Sequence, residues 1–120
     1  MDKLKALNAF SALGQETRLD VLRLLIRAGR DGLAAGELGE KLEVRQNTMS
    51  ANLSILLNAG LIRNMREGRS IRYFADIEGV QGLLGFLMED CCGGRPELCQ
   101  PVIEKIVHAG EENCDGRACL

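Results

Sequence analysis

The chain has 120 residues, 46% of them hydrophobic but only 3% aromatic and none Trp, so one domain is expected whose core is built from Leu, Ile, Val, Ala and Met. The formal charge of −2 gives no overall attraction to nucleic acid. No stretch approaches the ~20 apolar residues of a membrane span, and no signal-peptide pattern opens the chain. Five cysteines without an export signal argue for reduced thiols in the cytoplasm rather than a disulfide framework.

Leu4, Leu7, Phe10 and Leu13 recur every third residue and predict a first helix ending near Gly14. Leu19, Leu22, Leu25 and Ile26 form the stripe of a second helix over 15–28, followed by a break bracketed by Gly29 and Gly32. Residues 34–42 fit a short third helix, weakened by Gly36 and Gly39. Residues 46–59 make a stronger fourth, with Met49, Leu53, Leu56 and Leu57 on one face and Gly60 as its stop. A short helix followed by a longer one is the helix-turn-helix order.

After Gly60 the period changes. Two β-prone runs, 61–66 and 70–74, flank Glu67-Gly68-Arg69 and read as a hairpin. A two-stranded hairpin directly after a recognition helix is the wing of a winged helix. Ile77, Val80, Leu84 and Leu87 mark a fifth helix to about residue 89. Pro101 suits the first position of a final helix over 102–108, with Gly110 as its stop. The expected fold is therefore mainly α, a winged helix-turn-helix with a two-stranded β-wing. A small core with so few aromatics favours dimerisation, and the stripes of the first and fifth helices are long enough to pair across a two-fold axis as well as pack inside the subunit. One domain is expected over 1–110, with 111–120 as a flexible tail.

Charge is unevenly distributed. Residues 44–75 carry Arg45, Arg63, Arg66, Arg69 and Arg72 against Glu67 alone, a local +4, whereas 76–120 carry three basic and nine acidic side chains, a local −6. Phosphate attraction depends on the local field, so the middle block is the candidate DNA face. Residues at the start of a recognition helix meet the major groove, where Gln and Asn can bond adenine and Arg can bond guanine. Arg45, Gln46, Asn47, Thr48, Ser50 and Asn52 are the candidates there, with Arg66, Arg69 and Arg72 on the wing.

Three cysteines fall within nine residues, Cys91-Cys92-Gly93-Gly94-Arg95-Pro96-Glu97-Leu98-Cys99. Adjacent thiols followed by Gly-Gly can converge on one soft ion, because thiolate selects thiophilic metals and metalloids. As(III) is a pyramidal centre that three thiolates saturate, and Cys91, Cys92 and Cys99 supply that number within the loop 89–100. Sb(III) belongs to the same class. Zn(II) wants four ligands, and only Asp90 or His108, the single histidine, could add one. A Cys91–Cys99 or Cys92–Cys99 disulfide in redox sensing, or Zn/Cd sensing, stands as the alternative. Cys114 and Cys119 read as exposed thiols of the tail, and Met88 as a core residue. A thiol-dependent arsenic-processing enzyme is the remaining class. It is disfavoured because no phosphate-cradling loop precedes the thiols and the DNA-reading segment would have no role.

The run Phe10-Ser11-Ala12-Leu13-Gly14-Gln15-Glu16-Thr17-Arg18-Leu19-Asp20-Val21-Leu22 resembles the opening signature of the ArsR/SmtB family of metalloregulatory repressors. Ser50-Ala51-Asn52-Leu53, Ala59-Gly60-Leu61-Ile62 and Arg66-Glu67-Gly68-Arg69 with Tyr73 resemble its recognition helix and wing, so the likeness covers about residues 4–88. It implies a homodimeric repressor, paired through its first and C-terminal helices, that leaves operator DNA when inducer binds. Two departures stand out. The best-known arsenic repressors carry a cysteine site on the helix before the recognition helix, where this chain has Glu37-Leu38-Gly39-Glu40-Lys41-Leu42. Its thiols instead resemble those of a subgroup with a C-terminal Cys-Cys…Cys site. Asn52 stands where many relatives have His.

Overall fold

In a computed structural model, residues 2–88 are described. The cysteines at 91, 92, 99, 114 and 119, His108, the expected helix 102–108 and the expected tail 111–120 lie outside them.

Helix α1 (Lys3–Leu13) is opened by Asp2, whose carboxylate accepts the Lys5 N–H at 2.8 Å. Helix α2 (Glu16–Ala28) is opened by Gln15, whose side chain accepts the Arg18 N–H at 2.9 Å. A 3₁₀ turn (Gly29–Asp31) leads into a two-residue strand, β1 (Leu33–Ala34). Helices α3 (Ala35–Leu42) and α4 (Gln46–Asn58) form the helix-turn-helix. Strands β2 (Ile62–Glu67) and β3 (Ser70–Ala75) form the hairpin, and α5 (Ile77–Met88) follows.

The sheet has three antiparallel strands in the order β1-β3-β2, not the expected two. β1 pairs Leu33 with Tyr73 and Ala34 with Arg72, anchoring the root of the wing to the segment before α3. Two residues carry no alternation pattern, which is why the strand is invisible to periodicity. The hairpin closes with Glu67 opposite Ser70. Gly68, at φ 61°, takes the first central position of this two-residue turn, where a left-handed residue is needed to match strand twist.

The core joins Val21 and Leu25 of α2, Leu38 of α3, Met49, Leu53 and Leu56 of α4, and Leu61, all fully buried. The expected stripe of α1 is corrected: Ala6, Ala9 and Ala12 face the core, while Leu4 and Leu7 remain 69% and 56% exposed. Small side chains let α1 lie close to its neighbours, which turns its large apolar residues outward. In α5, Leu83 is buried, whereas Leu84 and Leu87 are 53% and 54% exposed. Met88 is also exposed rather than part of the core. At the start of α5, Gly79 lies so close to the Gly60 carbonyl that a Cβ could not be accommodated without movement.

Candidate nucleic-acid interface

The turn between α3 and α4 sets how the recognition helix is presented. α3 ends at Glu43, whose φ of 56° is left-handed, while the Val44 N–H returns to the Gly39 carbonyl at 2.9 Å. Gly39 is packed under this turn: a Cβ there would stand 3.0 Å from the Val44 carbonyl oxygen and run into the Gln46 amide. The helix-weakening glycine is thus what lets the turn close tightly. α4 starts from Arg45, whose backbone is extended and whose carbonyl accepts the Met49 N–H at 2.8 Å.

On α4, Met49, Asn52, Leu53 and Leu56 turn inward, leaving Gln46, Asn47, Thr48, Ser50 and Ala51 exposed. Gln46 is partly committed: its Nε2 donates to the Ala35 carbonyl at 3.3 Å, bridging back to α3. Asn47 Oδ1 accepts the Thr48 N–H at 2.9 Å, which leaves its amide NH₂ free to point outward. Arg45 beside them, and Arg66 and Arg69 on the wing, are exposed, and no side-chain hydrogen bond or ion pair engages them among the described residues. Three uncommitted guanidinium groups on the helix start and the hairpin suit a phosphate backbone.

Two of the expected DNA-contact residues are engaged within the fold. Asn52 is only 7% exposed, and its Oδ1 accepts a hydrogen bond from Arg18 Nη1 at 3.1 Å. It falls in the register of Met49, Leu53 and Leu56, so the helical period carries it inward. Arg72 is committed to the scaffold: Nε donates to the Asp31 carbonyl at 2.7 Å and Nη1 pairs with Glu37 Oε1 at 3.1 Å. The same Glu37 oxygen accepts the Ala34 N–H at 3.0 Å, closing the first turn of α3. Arg72 therefore ties the wing root to α3. Arg63, counted in the basic block, lies over the Phe74 ring with its guanidinium carbon 5.0 Å from the centroid.

Arg18 has no place in the composition argument, yet it makes the longest-range polar link to α4. Its signal was available. Arg18, Val21, Leu22 and Leu25 follow the i, i+3, i+4, i+7 spacing of a buried face, just as Asn52 interrupts the apolar stripe of α4. Two polar residues in core register call for each other as partners.

Helix-turn-helix, wing and uncommitted arginines define a winged-helix DNA-binding module. Residues 13–64 match the family model of a helix-turn-helix domain. The chain is 32% identical over 96 residues to the HTH-type transcriptional regulator YbzH of Bacillus subtilis, covering 70% of this chain and 96% of that one. It is 36% identical over 83 residues to the arsenical resistance operon repressor of the same organism, covering 69% and 75%. The solved structure of an ArsR-like transcriptional regulator from Rhodococcus sp. RHA1 superposes with a TM-score of 0.64 at 27% identity, covering 86% of this chain and 92% of that one. The chain belongs to the ArsR family of winged-helix transcriptional regulators. Its relatives and its fold are those of DNA-binding regulators, not enzymes. Among the described residues, no helix is long and apolar enough to cross a membrane.

Proposed function

We propose that this chain is a homodimeric repressor that holds operator DNA and releases it when As(III) or Sb(III) is bound by Cys91, Cys92 and Cys99. The observation that carries this reading is the position of the thiols. Helix α3 holds none, and all five cysteines follow α5, with Cys91 three residues beyond Met88. The likeness to an arsenical resistance operon repressor supports the same inducer class. Dimerisation is supported by the outward apolar residues of α1 (Leu4, Leu7, Phe10) and α5 (Ile77, Leu84, Leu87).

The packing of α5 supports a route from the thiols to DNA. α5 lies against α1, and its first turn meets the end of α4 through the Gly79–Gly60 approach. A three-coordinate centre that draws Cys91, Cys92 and Cys99 together would pull on the end of α5, which packs on α1 beside the proposed dimer face and on the Gly60 turn that follows the recognition helix. Reciprocity then requires that As(III), if it binds the free dimer more tightly, weakens DNA binding by the same factor, typically ~1–3 kcal/mol.

The deciding measurement is a release titration on a duplex selected from a random pool by the protein itself, with As(III), Zn(II), Cd(II) and peroxide in parallel. Release by As(III) with retention under the others is expected. Cys91→Ser, Cys92→Ser and Cys99→Ser should each keep DNA binding and lose release, while Cys114→Ser and Cys119→Ser respond as the parent. Release by peroxide alone would replace this reading with a disulfide switch, and release at lower Zn(II) or Cd(II) would replace it with a four-ligand site.

A further inference from the structure

We infer that Arg18 is a positioning residue for the recognition helix, acting through buried Asn52 and fixing the placement of α4 relative to the end of α1. Its Nε donates to the Ala12 carbonyl at 2.6 Å and its Nη1 to Asn52 Oδ1 at 3.1 Å. One planar guanidinium thus spans three helices: it is rooted on α2, holds the last turn of α1, and grips the middle of α4. The fork geometry of Arg fixes both bonds at once, which a flexible ammonium cannot do.

The surroundings give this link its importance. Arg18 lines a groove of about 330 Å³ between α1 and α4, bordered by Asn8, Ser11, Ile55 and Asn58. Along that groove the two helices are not sealed by apolar packing. Asn52 is the one buried polar side chain among the described residues, and its Oδ1 is partnered by Arg18. The remaining inward residues of α4, Met49, Leu53 and Leu56, are apolar, so Asn52 is the inward residue of this helix that can make a directional bond. The Arg18–Asn52 bond is directional and restrains the rotation of α4 about its own axis at the middle of the helix, while the α3–α4 turn and the Gln46–Ala35 bond restrain it at the start. It lies about one and a half to two turns from Arg45, Gln46 and Asn47, so a small roll of α4 moves the reading residues across the base edges.

This assignment rests on α4 being the DNA-contacting helix, and the test separates the two. The full 120-residue chain, as parent, Arg18→Lys, Asn52→Leu and the double variant, is titrated against two duplexes, the selected one and one of scrambled sequence. Binding to scrambled DNA is mostly phosphate attraction and tolerates a rolled helix, whereas base reading does not. Arg18→Lys keeps the charge and loses the fork. Asn52→Leu removes the acceptor and places a side chain compatible with the α4 stripe. Each should lower the ratio of selected to scrambled affinity by about tenfold, the factor one charge-assisted hydrogen bond commonly carries. The double variant should lose no more than Arg18→Lys alone, because that substitution already breaks the Arg18–Asn52 bond along with the bond to Ala12. Equal loss on both duplexes would mean a phosphate contact or general destabilisation and would overturn the assignment, as would an unchanged ratio or additive losses. Should Arg18→Lys fail to fold, Asn52→Leu decides by the same ratio. Arg45→Ala is the control for α4 itself: if it binds both duplexes like the parent, α4 is not at the DNA and the reading beneath the assignment fails first.

Discussion

Glu43 carries two unfavourable terms at one backbone position. Its φ of 56° is left-handed, which costs a side chain with a Cβ about 1–2 kcal/mol, and its carboxylate sits at the C-terminal end of α3, where the helix dipole is negative. Asn tolerates the left-handed region and carries no charge. Glu43→Asn should therefore raise stability by about 1 kcal/mol, visible as a melting temperature several degrees higher by circular dichroism. It should also tighten DNA binding, since an acid is removed two residues from Arg45. Gly79 makes the opposite case. Its close approach to the Gly60 carbonyl leaves no room for a methyl, so Gly79→Ala must push α5 away from the end of α4. A cost of about 1–3 kcal/mol in a urea titration is expected despite the better helix propensity of Ala. An unchanged midpoint would show that the two backbones can part freely.

At the scale of elements, the wing divides its arginines between scaffold and surface. Arg72 is spent on Asp31 and Glu37 and Arg63 on Phe74, whereas Arg66 and Arg69 are exposed. Arg69→Ala should weaken binding to every duplex and flatten the slope of log affinity against log salt by about one, as expected for one lost phosphate contact. Arg72→Ala should instead lower the melting temperature, because the wing root loses its ties to the segment before α3. A salt slope unchanged in Arg69→Ala would remove the wing tip from the interface. The two helices of the reading module and the hairpin were legible because their signals are local: the α4 stripe, the stop at Gly60 and the turn at Gly68. The partition of the arginines was not, since Arg72 and Arg69 look alike until their long-range partners Asp31, Glu37 and the β1 pairing are known. Asn52 was legible in principle, because its register with Met49 and Leu53 already places it inward. The capacity of its amide to bond adenine competes with that register and points outward instead.

For the whole molecule, the same ambiguity governs which apolar surface faces its own chain. Leu4, Leu7 and Phe10 have the spacing of a buried stripe, yet the described fold buries Ala6, Ala9 and Ala12 in their place. Periodicity detects that a face is apolar and says nothing of whether the covering partner is the same chain. If α1 and α5 pair across a two-fold axis, Leu7→Glu with Leu87→Glu should convert the dimer to a monomer in sedimentation velocity. DNA affinity should fall steeply, while the single-chain core keeps its helical circular dichroism. A double variant that still sediments as a dimer would place the interface elsewhere. These outward leucines also tie the molecule's persistence to its own abundance. In the proposed dimer two chains must meet before those faces leave water, so dissociation should follow the law of mass action and the melting temperature should rise with protein concentration. At low concentration the chains are then the least protected, and the proposed dimer accumulates faster than in proportion to the chains.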